Sequence, residues 1–463
     1  MMSYFKMITV MLFALVFSST NCLADAKNVS INNVDELWQG YIPGYLTKIN
    51  PKDSMVLYSA QQALMVPVWA SFRLQKTAWQ KQITEGLSLI IDSTTSIEKL
   101  REKSHQGQIK LSPDLLDESK TGSGKRNIFP FEAKTSEVSK DDMIQFQFSY
   151  LLSYHARLLV QNGITDKQSK KYVEKTVHLL MTDMIHPYWT ELPGRHWAVR
   201  YPNMKLKLQA KLSNPVPIEL RARKYYRWII DEELHFMAIA SELRCLARYK
   251  KDLFTQKDID ILNDILAITQ EIMSAKLEKG DGFLFDIGSV DDHPDYAHAG
   301  YSGKAYPTVK SPGKNVSWDI SHSSRWPWWL ASFRDAWPTN SAQYNQYDKL
   351  LDRLSIQFVL CIDSQLDNNG FPRVTNFFNG QNGWYRVGYQ NRKNFGYAPF
   401  ALSKTVALNG SWGTLADRNE GIKKFNKNVL RALESDKAQM KTKSPEYFSL
   451  SLLNAKLLNE VIR

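Results

Sequence analysis

The stretch NVSWDISHSSRWPWWLASF, residues 315–333, combines an acid, an imidazole and a guanidinium with four tryptophans. Asp319, His322 and Arg325 follow one another at intervals of three residues. A histidine can accept a proton near neutral pH, and an arginine can bind a carboxylate through paired hydrogen bonds. Asp319 fits two interpretations, a catalytic acid or the N-cap of a helix that begins near Ser323. Arg325 fits either a substrate contact or an ion pair with Asp319.

Three long polar segments carry further residues of these types. The first spans 279–324 and leads into Arg325, the second spans 367–394, and the third spans 187–220. Their tyrosines, arginines, amide and tryptophans are suited to proton transfer or to binding a sugar. The candidates are Tyr301 in the first segment, Trp384, Tyr385, Arg386, Tyr389 and Asn391 in the second, and Arg195, His196 and Trp197 in the third.

The elements around these segments are predicted to be helices, because apolar residues recur at steps of three and four along most of the chain. Tyr347, Leu351, Leu354 and Phe358 are one such series. Sustained strand-like alternation is scarce, so the fold class is predicted to be all-α. The predicted helices are 56–75, 77–97, 141–162, 168–186, 221–249, 257–278, 325–336, 344–366, 395–408, 420–435 and 445–461.

Long and short connections alternate between these helices, which indicates helical hairpins with every long loop at the same end. The three candidate segments are therefore expected to share one face. Residues 100–138 are predicted to form a flexible loop within a single domain of residues 25–463. The alternative is two helical domains divided in the same polar stretch.

This layout, over residues 50–460, resembles that of the (α/α) toroid, in which helical hairpins form an inner and an outer ring. Many polysaccharide lyases and glycoside hydrolases have this fold, so the resemblance implies a carbohydrate substrate bound among the long loops. It covers the arrangement of helices and loops only, and no motif of a particular family accompanies it.

Composition and charge restrict the partner and the compartment. Residues 1–24 place one lysine before an apolar run and end in small residues, which predicts a secretory signal peptide and a periplasmic or secreted protein. The formal charge of +12 favours an acidic partner. No concentrated basic stripe or zinc-finger motif is present, so an anionic polysaccharide is favoured over nucleic acid. No later segment is long and apolar enough to be predicted as transmembrane.

These observations favour a lyase that cleaves a uronate-containing polysaccharide by β-elimination. Such an enzyme removes the proton next to a carboxylate, stabilises the growing negative charge and protonates the leaving oxygen. The predicted proton acceptor is His322 or Tyr301, the donor is Tyr389 or Tyr385, and the carboxylate ligand is Arg325, Arg386 or Asn391. The predicted sugar platforms are Trp197, Trp329 and Trp384, and Arg195 and His196 are further substrate contacts.

Two other functions stay open at this point. A glycoside hydrolase would need two carboxylates, which Asp319 with Asp281, Asp286 or Glu191 could provide. A periplasmic assembly protein could bind a glycan without cutting it.

No metal or cofactor is predicted. Glu232 and His235 form half of a di-iron motif without a second copy, and the run DDHPDYAH, residues 291–298, matches no established metal spacing. Cys245 and Cys361, the cysteines beyond the signal peptide, lie in apolar helical patterns, so two buried thiols are favoured over a disulfide.

Overall fold

A computed structural model describes residues 33–122, 124–132, 137–196, 199–278, 280–286, 290, 293–303, 313, 316–387, 396–435 and 445–462. The chain is helix-rich over these residues, and its sheets are small. The all-α prediction is therefore confirmed. The predicted signal peptide lies outside the described residues.

The α-helices range from single turns to 21 residues. Their bounds are α1 Val34–Lys48, α2 Ser54–Arg73, α3 Thr77–Ile91, α4 Ile97–His105, α5 Pro113–Leu116, α6 Glu118–Thr121, α7 Asp142–Gln161, α8 Lys167–Leu180, α9 His186–Thr190, α10 Met204–Leu212, α11 Asp231–Tyr249, α12 Gln256–Lys276, α13 Ile320–Ser323, α14 Trp326–Asp335, α15 Ala342–Leu360, α16 Ser403–Asn409, α17 Glu420–Ser435 and α18 Pro445–Ile462. A π-helical turn, Met181–Ile185, joins α8 to α9, and a longer 3-10 helix, Ser411–Arg418, follows α16.

The strands are two to five residues long and lie in the connections between helices. They are β1 Thr95–Ser96, β2 Lys110–Leu111, β3 Asn127–Ile128, β4 Phe131–Glu132, β5 Glu137–Ser139, β6 Gly194–His196, β7 Val199–Tyr201, β8 Ile362–Leu366 and β9 Pro372–Val374. β1 pairs with β3, β6 with β7 and β8 with β9, each antiparallel. β5 lies between β2 and β4. The predicted flexible segment 100–138 thus contains short helices and strands where it is described, and its mobility stays a prediction.

The long helices pack in two series. Contacts run from α2 to α7, α11, α14, the 3-10 helix Ser411–Arg418 and α18, and from α18 back to α2. A second helix packs against most members of this series, namely α3 on α2, α8 on α7, α12 on α11, α15 on α14, and both α17 and α1 on α18. One continuous hydrophobic cluster extends from Leu37 to Leu458 through these contacts.

Carboxylates begin several helices of the first series, because they accept hydrogen bonds from the free N–H groups of the first turn. Asp53 accepts from the first turn of α2, and Asp141 accepts from Ile144 at the start of α7. At α11 the Glu233 side chain reaches back to the Ile230 backbone N–H at 2.8 Å.

The N-terminal ends of α2, α7, α11 and α14 lie together. Arg325, which precedes α14, forms an ion pair with Asp231 at the start of α11 and donates a hydrogen bond to the Tyr58 hydroxyl of α2 at 3.2 Å. Burial above all, and the nearby Glu232 carboxylate in part, raise the pKa of Asp141 to about 6. The connections that precede these helices therefore meet at one end of the molecule.

Several predicted helix bounds are wrong. The helix predicted at 221–249 begins at Asp231, because three consecutive acids occupy its first turn and the residues before it form 3-10 turns. The helix predicted at 344–366 ends at Leu360, and the last residues form β8. The helix predicted at 395–408 is confined to Ser403–Asn409. α1, α4 and α10 were not predicted.

Cys245 and Cys361 are both free and buried, which confirms the prediction of two thiols. Burial raises the pKa of each thiol, so both are expected to be unreactive at neutral pH. Within the described part of the chain, no helix combines the length and apolar character that a membrane crossing requires.

Candidate functional site

Asp319 and His322 form a hydrogen-bonded pair at the start of α13. One carboxylate oxygen of Asp319, Oδ1, accepts hydrogen bonds from the backbone N–H groups of Ser321 and His322, each at 3.2 Å. The other, Oδ2, lies 2.6 Å from His322 Nδ1. The N-cap interpretation of Asp319 is therefore confirmed, and the same carboxylate also orients the imidazole; its catalytic role stays a prediction.

The electrostatics of this pair determine which imidazole nitrogen carries a proton. Asp319 is 1% exposed, and burial alone would raise its pKa. The His322 ring, the Ser321 hydroxyl and the Arg386 charge outweigh burial and hold the pKa of Asp319 well below its usual range. An ionised carboxylate only accepts hydrogen bonds, so Nδ1 of His322 is the donor. In the neutral ring Nε2 then carries the lone pair.

The His322 side chain keeps 21% of its surface exposed, whereas its partner Asp319 is enclosed. A histidine held at Nδ1 by a buried carboxylate has the arrangement of an oriented general base. The pair can therefore accept a proton from a molecule bound at this end of the helices.

Arg386 connects the second predicted segment to the first. Its Nε donates to Asp295 Oδ2 at 3.0 Å, and its backbone N–H donates to the Asp295 carbonyl at 2.8 Å. Because the charge of Arg386 also lowers the pKa of Asp319, the two segments meet at the Asp319–His322 pair. Arg386 is 5% exposed, and its ion pair with Asp295 holds the two loops together. This burial does not support its predicted role as a direct ligand of the substrate carboxylate.

Tyr296 and Tyr385 form an aromatic wall behind these charges. Their ring centroids are 5.6 Å apart, and Tyr296 also lies 5.4 Å from Trp228. Burial raises the pKa of both phenols well above the usual value, so both stay protonated at neutral pH. Tyr385 is 1% exposed, which leaves it no surface for the predicted substrate contact.

Arg325 and Trp329 have other contacts than the predicted ones, and the predicted substrate contact of Arg325 stays a prediction. Arg325 pairs with Asp231 rather than Asp319, because the start of α11 lies beside its guanidinium. Trp329 is fully buried, with its ring centroid 5.0 Å from that of His235, so it belongs to the core and offers no face to a sugar.

The structure describes four of the remaining predicted residues and does not describe the other three. Tyr301 and Trp384 are half-buried and joined through the Trp384 backbone N–H, which donates to the Tyr301 carbonyl at 3.0 Å. Arg195 and His196 lie on β6, where they oppose Arg200 and Val199 of β7. Trp197, Tyr389 and Asn391 lie outside the described residues.

Asp295, Tyr296 and Trp228 were not predicted to belong to this site. The run DDHPDYAH, which contains Asp295 and Tyr296, was noted only as a weak metal motif. Its Asp295 carboxylate binds Arg386 instead. Across the described ranges, no group of three or more His, Cys, Asp or Glu side chains is arranged to hold a metal ion.

The half-motif Glu232–His235 has separate structural partners. The Glu232 carboxylate binds Lys207 Nζ at 2.9 Å, and His235 Nδ1 lies 2.7 Å from the Asp231 carbonyl oxygen. The two side chains therefore have structural roles, with different hydrogen-bond partners, and do not form a shared metal site.

Stability is expected to fall in mild acid because two histidines are buried in the neutral form. Burial lowers the pKa of His155 and of His235 from 6.5 to about 3. The unfolded chain binds protons at these positions below about pH 6.5, whereas the folded chain does not until about pH 3. Each histidine therefore contributes up to about 1.4 kcal/mol per pH unit to the loss of unfolding free energy in that window.

Urea unfolding between about pH 7 and pH 4.5 measures this slope. His155→Gln is expected to make the decline shallower, and replacement of the exposed His178 by glutamine is the matched control. Equal slopes for the His155 variant and the unsubstituted chain would contradict the neutral buried state.

Gly383 allows the two site loops to approach each other. A Cβ at this position would lie 2.7 Å from the N, Cα and C atoms of Gly300, and backbone atoms cannot move aside as a side chain can. Gly383→Ala is expected to separate the loops and lower the unfolding free energy by about 1–3 kcal/mol. Gly44→Ala is the control, since this helical glycine has nothing within 4 Å of its Cβ position. A Gly383 variant as stable as the Gly44 variant would contradict the close approach.

No protein-family model matches this sequence, and a comparison with curated proteins finds no match. The candidate function therefore depends on the chemistry of the residues described above.

Proposed function

We propose that this protein is an exported enzyme that cleaves a uronate-containing polysaccharide by β-elimination. The observation that carries the proposal is the Asp319–His322 pair, with Oδ2 to Nδ1 at 2.6 Å and part of the imidazole exposed. A general base with a fixed tautomer is what removal of a carbon-bound proton requires.

In the proposed reaction His322 Nε2 takes the proton from the sugar carbon that carries the carboxylate. The electron pair of that C–H bond forms a double bond to the neighbouring ring carbon, and the bond from that carbon to the glycosidic oxygen breaks. The departing oxygen receives a proton, so the products are one unsaturated end and one ordinary end. Asp319 stabilises the imidazolium that forms, as a buried carboxylate does for a neighbouring histidine. Tyr389 stays the predicted proton donor.

A hydrolase is the weaker alternative, because Asp319 is buried and both of its carboxylate oxygens already accept hydrogen bonds, which leaves neither free to act as nucleophile or base. It is equally unsuited to the role of general acid. A general acid must be protonated when substrate binds, whereas Asp319 is held ionised and is fully engaged by the start of α13.

We also propose that the helices form an (α/α) toroid. In support, the contacts of the first helix series return from α18 to α2, and each neighbouring helix of the second series lies against it. The N-terminal ends gathered around Arg325, Asp231 and Tyr58 would then form the floor of the substrate site. Export is proposed from the apolar run of residues 7–17.

Incubation of the purified protein with a panel of uronate polymers tests the proposal. We expect ultraviolet absorbance from unsaturated ends to rise together with the number of new reducing ends. New reducing ends without absorbance would favour hydrolysis, and binding without either product would favour a glycan-binding protein.

A further inference from the structure

Residues 221–227, with the sequence RARKYYR, form an exposed basic segment before α11. Arg221, Arg223 and Lys224 are exposed, and Arg227 is half-buried. Glu219 is the one acid among residues 216–230. The segment therefore carries a local excess of positive charge at the end of the molecule where the candidate site lies.

Aromatic contacts connect this segment to the Asp319–His322 pair. The Tyr225 ring centroid lies 4.7 Å from that of His293, and the Trp228 ring is stacked on the same imidazole at 4.6 Å. Trp228 in turn contacts Tyr296, whose hydroxyl interacts with the Asp319 backbone. The basic segment and the proposed base are thus joined by a continuous row of packed rings.

Arg227, the last cation of the segment, directly precedes Trp228 of this row. Its charge opposes the protonation of Lys276 at the end of α12, where burial is the main cause of a lowered pKa and Asp286 partly compensates. Arg227 Nε is buried and has no hydrogen-bond partner among the described residues. Arg227 and Lys276 with the single acid Asp286 leave a net positive charge, which favours an anion nearby.

We propose that the basic segment, residues 221–227, binds the anionic groups of the sugar units that flank the unit being cleaved. The substrate is then a polymer with closely repeated negative charges, rather than a chain with one isolated uronate. Carboxylates or sulfates on successive sugars contact Arg221, Arg223 and Arg227 in turn. The identity of the polymer in this inference rests on the proposed function, whereas the location of the binding surface rests on the geometry of the segment.

Binding measurements with Arg221→Glu/Arg223→Glu test this surface. The matched control is Lys424→Glu/Lys427→Glu, which makes the same charge change at two exposed lysines of α17. The probes are polygalacturonate, polymannuronate, neutral dextran and single-stranded poly(dT), titrated at two salt concentrations. Unsaturated ends are measured in parallel with each uronate polymer.

We expect the segment variant to bind a uronate polymer about tenfold more weakly at low salt, with a shallower salt dependence, because it has lost two cationic contacts. The control is expected to bind within about twofold of the unsubstituted chain, because α17 packs against α18 and the 3-10 helix Ser411–Arg418 and its exposed lysines make no contact with a ligand on the segment. Dextran is expected to bind neither variant.

Equal losses in both variants, no loss in either, or no binding of either uronate polymer by the unsubstituted chain would overturn the inference. So would poly(dT) binding of equal strength with the same loss, since that would mark a general polyanion surface. Polymer binding that depends on the segment but yields no unsaturated ends would overturn only the proposed function. Cleavage with undiminished binding by the segment variant would overturn only this inference.

Discussion

Replacement of His322 by glutamine is expected to lower kcat on a uronate polymer by roughly a hundredfold to ten-thousandfold, the usual contribution of a positioned general base. Glutamine can still accept a hydrogen bond but cannot take up a proton at neutral pH. Because the His322 side chain is 21% exposed and outside the main core, the fold should persist. Initial rates of unsaturated-end formation, with the thermal unfolding midpoint measured alongside, test this expectation.

His178→Gln provides the matched control, since this exposed histidine lies on α8, which packs against α7 and α3 rather than at the site. Asp319→Asn tests the charge of this carboxylate without removing the helix cap. Asparagine can still cap α13, but it lacks the charge that stabilises the imidazolium. A His322 variant that retains full kcat would exclude this residue as the base. A rate loss matched by an equal loss in the His178 variant would mean that folding, and not proton transfer, had been affected.

Replacement of Glu233 by glutamine is expected to lower the unfolding free energy by about 3–5 kcal/mol, because it leaves the buried Lys211 without its counter-charge and Lys207 with Glu232 alone. Glu233, Lys207 and Lys211 are each fully buried. Lys207 Nζ lies 3.0 Å from Glu233 Oε1, and Lys211 donates to the same carboxylate and to the Trp228 carbonyl. Although burial raises it, the pKa of Glu233 is held below its usual value by Lys207 and Lys211, so the carboxylate is ionised.

The exposed pair Lys81–Glu85 is the control for this expectation. Its side chains are 70% and 47% exposed and 3.9 Å apart, so Glu85→Gln is expected to change stability by less than about 1 kcal/mol. Urea unfolding at neutral pH measures both variants. A Glu233 variant within about 1 kcal/mol of the unsubstituted chain would contradict the assignment of a buried ionic cluster.

The sequence predicted the helices best where a cap and an apolar series agree. The helix predicted at 257–278 begins at Gln256, directly after Thr255, whose hydroxyl accepts from the Asp258 backbone N–H at 3.2 Å. The residues before Asp231 have helical spacing too, but Tyr225 and Trp228 pack against His293 from a distant loop. Such a tertiary contact has no local signal, so the helix start was placed too early.

The candidate site was predictable to the extent that its contacts are local. Asp319 and His322 are three residues apart at a helix start, a spacing at which an N-cap carboxylate can reach the side chain as well as the backbone. The partners of Arg325 and Arg386 are instead Asp231 and Asp295, which lie far away along the chain. Ion pairs between distant segments depend on the tertiary fold, which residue types and spacing do not reveal.

Trp329 illustrates the limit for aromatic residues. The consecutive tryptophans 328 and 329 point to different faces of α14, so the sequence indicates that at least one belongs to the core. The sequence does not indicate whether one or both are buried, because the two residues are of the same type and have the same neighbours. In the structure both belong to the core: Trp329 contacts His235 and Trp326, and Trp328 contacts Tyr154.

The mass of the new chain ends tests the central claim most directly. A uronate polymer is incubated with the protein in isotopically labelled water, and the oligosaccharide products are analysed by mass spectrometry. If His322 acts as the base of an elimination, one product carries an end that is lighter by one water than a hydrolysed end, and the cleavage itself adds no labelled oxygen from the water to either product. Products that are all of full mass and carry the labelled oxygen would contradict the account.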